Sequence, residues 1–221
     1  MEQRGIIKLA LKAGQTLLLG IKLQFLFLLF TLAGGIVLGI FPALAASAKI
    51  ILRRIVEPAD ATDSMFGDRR NTFAALYQEF RQFYRQSFWE FNGIGYIGAA
   101  AVGVLLVDLA VNKAWLHSPM IQYGLIVLLI MAMLYWLYAF TIYARYSLRF
   151  WQYFRQTLII SVAKISNTLA IIISSILATG LLVIFPMLTF VALVPLYLTP
   201  VVWFSYQSCQ HVEAVMQHAA E

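Results

Sequence analysis

The sequence predicts an all-α, polytopic membrane helical bundle of five to six membrane segments with two basic amphipathic surface helices. Three observations lead there. No charged side chain occurs from Thr168 to Tyr206, and three other long apolar stretches precede that one. A soluble chain of 221 residues has no interior able to hide this much hydrocarbon, whereas a bilayer takes about 20 apolar residues per helical crossing. Composition agrees: 62% of residues are hydrophobic and 12% charged, against about half and about a quarter in soluble domains. Finally, between the apolar stretches lie two segments whose aromatic residues recur at helical spacing and whose remaining positions are basic or amide.

In chain order, the N-terminal segment carries Arg4, Lys8, Lys12 and Lys22 and leads into an apolar run from Leu23 to Gly34-Gly35. Ala43-Leu44-Ala45 has the small-x-small form of a signal cleavage site. The apolar core from Leu23 to Phe41 is longer than the roughly 7–15 residues of a signal peptide, so a retained membrane segment is expected. Pro42 suits the first turn of a helix better than its middle, which predicts a second, short helix over 42–56. The stretch Glu57 to Asn71 is the plainly aqueous loop.

Phe73, Leu76, Tyr77, Phe80, Phe83, Tyr84, Phe88 and Phe91 line one face of an amphipathic helix with Asn71 as its N-cap. Membrane helices follow at Asn92 to Val111 and Ile121 to Tyr143, then a second amphipathic stretch over 143–166, then a hairpin from Thr168 to Phe204 broken at Pro186. Phe80-Arg-Gln-Phe-Tyr-Arg-Gln-Ser87 lies over Phe150-Trp-Gln-Tyr-Phe-Arg-Gln-Thr157 at an offset of 70. This reads as an internal repeat with residues 5–22 as a weaker third copy, although juxtamembrane helices in general share such composition. The whole chain, 1–221, is one integral membrane domain, with 1–22, 57–91 and 143–166 as its basic or aqueous parts.

Lys and Arg arrangement favours a hairpin over residues 17–52. If those residues turn between Gly34 and Pro42, every Lys and Arg except Lys113 falls on one side, as the positive-inside tendency requires. A single crossing would scatter them over both sides. Six segments with both termini cytoplasmic are therefore expected, with five spans as the alternative. The formal charge of +6 fits anionic lipid at the cytoplasmic surface rather than nucleic acid. Cys209 is the single cysteine, so no intrachain disulfide forms.

Candidate functional residues are few. Arg81, Arg85, Arg149 and Arg155, interleaved with aromatics, make two basic ridges suited to lipid headgroups or to a protein partner. Asp108 is the acid inside a predicted span, either an interfacial carboxylate or an intramembrane polar site. Gly35 and Gly39, and Gly95, Ala99 and Gly103, have the small-residue spacing of close helix packing or self-association. Pro42 and Pro186 are expected helix breaks, and Pro195 and Pro200 kinks that could unwind around a ligand. His211, Glu213 and His218 read as a solvated tail, with no metal site. Phosphate-loop, zinc-protease, dinucleotide and serine-elbow motifs do not occur, so neither enzyme activity nor a cofactor is expected.

Gly39-Ile-Phe-Pro42-Ala43-Leu-Ala-Ala46, the basic stretch Lys49 to Arg54 and Phe80-Arg-Gln-Phe-Tyr-Arg-Gln-Ser-Phe-Trp89 resemble the YesL family, also called DUF624. The resemblance covers essentially the whole chain, is most specific over 30–110 and is compositional beyond about 165. It implies a protein of the bacterial cytoplasmic membrane, encoded near carbohydrate ABC importers, with importer subunits as partners in an auxiliary role. It carries over no catalytic residue. The chain lacks the EAA-type loop of an ABC permease, which implies that it is not the translocation subunit.

Overall fold

The computed structural model describes residues 2–57, 72–146 and 148–218. Its elements are α1 (Glu2–Ala33), α2 (Val37–Val56), α3 (Phe73–Val111), a π-helical turn (Asn112–Leu116), α4 (Pro119–Arg145), α5 (Phe150–Ala163), α6 (Ile165–Ile184) and α7 (Met187–His218). There is no strand among the described residues. Five helices are long and apolar enough to cross a bilayer: Gly14–Ala33, Phe73–Leu116, Pro119–Arg145, Ile165–Ile184 and Met187–Gln217. The chain is a multi-pass membrane protein. In α2, Lys49, Arg53 and Arg54 interrupt the apolar run, and the helix is instead buried along most of its length by α1, α3, α4 and α7.

Hairpins α1–α2, α3–α4 and α6–α7 build the bundle, with α5 leading into the last. The second arms α2, α4 and α7 touch one another pairwise. Of the remaining helices, α1 lies on α2 and α7, α3 on α2 and α4, and α5 on α4 and α7, while α6 packs mainly on α7. The repeat seen in the sequence has matching surroundings. Arg85 and Arg155 are exposed, Gln82 and Gln152 are exposed, and Ser87 and Thr157 are buried. Phe80 packs on Phe30 of α1, while Phe150 fills the space in front of Gly93 of α3.

The turn between α1 and α2 is very tight. Gly35 has φ +77° and Ile36 φ +62°, and the Val37 amide donates to the Gly35 carbonyl at 2.7 Å. That is a γ-turn centred on a β-branched residue, a strained conformation. At Gly39 a side chain would meet the Thr31 carbonyl oxygen at 2.3 Å, so glycine is required for α2 to fold back on α1.

Several boundaries differ from the sequence reading. Helix α2 begins at Val37, so Pro42 lies inside it rather than at its start. Proline deprives the Leu38 carbonyl of its intrahelical donor, but Asn92 Nδ2 of α3 donates to that oxygen at 3.0 Å. Tyr96 Oη donates to the neighbouring Val37 carbonyl at 2.8 Å. With α3 supplying donors, the helix passes through the proline unbroken. Nor does α3 divide near Asn92: it is continuous for 39 residues, because the switch from amphipathic to all-apolar surface changes the surroundings and not the backbone ladder. The second amphipathic helix spans Phe150–Ala163, narrower than expected, since the chain leaves the helix after Arg145. The break at Pro186 is present, and α7 runs well past Phe204 without interruption at Pro195 or Pro200. The N-cap of α3 is Thr72, which makes no side-chain cap; Asn71 and the aqueous loop from position 58 lie outside the described residues.

Two buried amides besides Asn92 tie helices by their backbones. Gln24 Oε1 of α1 accepts from the Val194 amide at 2.9 Å, beside Pro195. Asn167 Nδ2 of α6 donates to the Phe204 carbonyl and to Ser208 Oγ, both at 3.0 Å.

Two outcomes follow from these contacts. Asn92→Ala is expected to lower stability by about 1–2 kcal/mol, and Pro42→Ala in that background to recover part of the loss by returning an amide to Leu38. Thermal unfolding in detergent measures both; an equal Asn92→Ala effect with and without Pro42 would contradict the assignment. Ile36→Gly is expected to raise stability by about 1 kcal/mol by relieving the left-handed φ, read from the same melting curves.

Candidate partner-facing site

Lys49 joins α2 to α4, and Arg145 joins α4 to α7, so the C-terminal ends of these three helices meet at one end of the bundle. Lys49 Nζ lies 5.5 Å from the ring centre of Phe83 and 4.7 Å from that of Tyr143. Tyr143 Oη donates to Glu90 of α3 at 3.3 Å, and Arg53 pairs with Glu79. Arg145 grips Glu213 with both fork nitrogens, Nε to Oε1 at 3.1 Å and Nη2 to Oε2 at 2.6 Å. Its guanidinium also stacks 4.7 Å from the Tyr206 ring centre, and Tyr146 Oη donates to the same carboxylate. Burial, and then the Glu213 carboxylate, push the Tyr146 phenol up, so it stays a donor at neutral pH.

Two classes of cation result. Lys49, Arg53 and Arg145, on the inner helices, are taken up by acids and aromatic rings. Arg81 and Arg85 on the head of α3, and Arg149 and Arg155 at α5, are exposed, and no ion pair involves them among the described residues. Beside them Trp89 and Trp151 are 83% and 77% exposed. Exposed cations interleaved with exposed indoles form a surface suited to anionic or π-rich partners.

The other residues singled out by sequence are dispersed. Asp108 faces outward from α3 among exposed Val104, Val107 and Val111, away from the bundle interior. Gly95 is pressed by Phe41, whose ring a Cβ would meet at 2.4 Å, and Ala99 lies against the core. Gly103 has open space before it and Gly35 serves the turn, so neither marks a close helix contact. Gly98, unremarked in the sequence, gives Trp136 its place. Glu213 is not part of a solvated tail: α7 stays helical and Arg145 holds it. His211 is exposed, the His218 side chain lies outside the description, and no cluster of metal-ligating residues occurs among the described residues.

A small cavity of about 10 Å³ lies between α3, α4 and α5, lined by Gly98, Tyr135, Trp136 and Thr157 among others. It has room for about one water. The Arg145–Glu213 link carried no sequence signal, because the partners are 68 residues apart. Arg145→Gln and Glu213→Gln are each expected to destabilise by roughly 1 kcal/mol, and the double variant by no more than either single. A double-mutant cycle of thermal unfolding checks this; additive losses would show that the pair is not coupled.

Residues 21–109 match the family described as protein of unknown function, DUF624. No curated protein and no solved structure matches the chain. The matched stretch takes in the apolar half of α1, all of α2 and nearly all of α3, which together hold the tight turn, Pro42 with its donor Asn92, and the first arginine ridge. Over residues 21–109 the chain is similar to DUF624.

Proposed function

We propose that this protein is a non-enzymatic accessory subunit of the bacterial cytoplasmic membrane that binds a carbohydrate ABC uptake system. The observation that carries the reading is the division among its cations. Those at the helix ends are neutralised internally, while Arg81, Arg85, Arg149 and Arg155 are exposed beside Trp89 and Trp151 and form no ion pair among the described residues. The cavity between α3, α4 and α5 has room for about one water, too little for a sugar. The same end of the bundle carries Lys49, Arg53 and Arg54 of α2 and Arg145 of α4, which supports a cytoplasmic position for it and for both termini.

A transporter built around Asp108 and a proline-unwound last hairpin has less support. Asp108 points outward, and α7 is helical through Pro195 and Pro200.

Co-purification from native membranes tests the accessory role: permease or ATPase components are expected with the tagged protein. Recovery without either would overturn it. The triple variant Arg81→Gln, Arg85→Gln, Arg155→Gln is expected to reduce that recovery by roughly tenfold, each cation near an anionic surface contributing about 1 kcal/mol at most. Unfolding of the variant, seen as loss of its melting transition, would make those arginines structural instead.

A further inference from the structure

We infer that the outer arm of the α3–α4 hairpin docks a transmembrane helix of a partner protein that carries a basic side chain opposite Asp108. Beyond Ala99 this arm leaves the bundle: from there to Met133 the buried side chains are Val102 and Asn112. Trp115, 85% exposed at the turn beside Lys113 and His117, marks the level of the membrane interface. Asp108 precedes it by seven residues, about 10 Å along a helix axis. An aspartate side chain is too short to reach the headgroups from there, so its carboxylate faces hydrocarbon, which costs several kcal/mol unless a polar group meets it. No residue of this chain does so among those described.

The same stretch offers a close approach. Ala101, seven residues before Asp108 and so on the same face of the helix, is exposed, as is its neighbour Ala100. Small residues with one polar side chain are what helix association in lipid uses. A second copy of this chain fits poorly as occupant. A two-fold axis along the membrane normal would set the two Asp108 carboxylates against each other, and like charges repel at that separation. A cationic helix is the complement. The inference rests on the accessory reading above, but its test needs no ABC component, so the two fail separately.

The protein is reconstituted in phosphatidylcholine vesicles with a Leu-based transmembrane peptide bearing one Lys two turns inside its end, and with the all-Leu parent. Energy transfer between labelled protein and peptide reads association. The wild type is expected to bind the Lys peptide roughly tenfold more tightly than the parent. Asp108→Asn should abolish that preference, and Ala101→Leu should weaken binding of both peptides. Unaltered melting of both variants is expected, because neither residue touches the bundle. Equal binding of the two peptides, a preference that survives Asp108→Asn, or stronger transfer between two copies of the protein than to the Lys peptide would each overturn the proposal. So would no association with either, which would leave lipid as the cover.

Discussion

The constraint on which this architecture depends is that lipid supplies no hydrogen bonds. Any backbone group released from a helix ladder must find a partner within the protein. Pro42 releases the Leu38 carbonyl in the helix that α1, α3, α4 and α7 surround, and Asn92 and Tyr96 of α3 take up the consequences. The position of α3 against α2 is thereby fixed by polar contacts of defined geometry, where apolar packing alone would permit sliding. Gln24 and Asn167 do the same for α7. Each of these amides is buried, and each ties one hairpin to its own second arm or to that of another.

Around that frame the close approaches are made by glycine. Gly39 brings α2 against Thr31, Gly95 receives Phe41, Gly98 receives Trp136 and Gly93 receives Phe150. The aromatic rings these glycines admit continue into a set of tilted and edge-on pairs, from Phe41 with Tyr96 and Trp136 to Phe91 with Phe140 and Tyr143. Where lipid cannot drive helices together, such contacts and the buried amides are what remains to hold them.

The all-helical membrane class and the break at Pro186 were legible from strong local signals, charge-free length and a proline between apolar runs, and the hairpin over residues 17–52 from the distribution of Lys and Arg along the chain. The reading failed where tertiary partners override local preference. Pro42 looked like a helix start because nothing in its neighbourhood announces an amide donor 50 residues later. Asn92 looked like a helix start because amphipathicity ends there, although the backbone has no reason to stop. Glu213 looked solvated since its partner, Arg145, is on another helix. Spacing alone could not separate Gly95, which is packed, from Gly103, which is open. The four arginines stood out from sequence, but only the contacts of Lys49, Arg53 and Arg145 distinguish occupied cations from unoccupied ones.

The continuity of α3 ties two distant regions together. Thirty-nine residues of uninterrupted helix make a rod of about 58 Å, with Arg81 and Arg85 near one end and Asp108 near the other. Neither end can be turned about the axis without turning the other through the same angle. Whatever seizes the rod at membrane depth therefore also decides which way its arginines point, without any hinge or loop carrying the message.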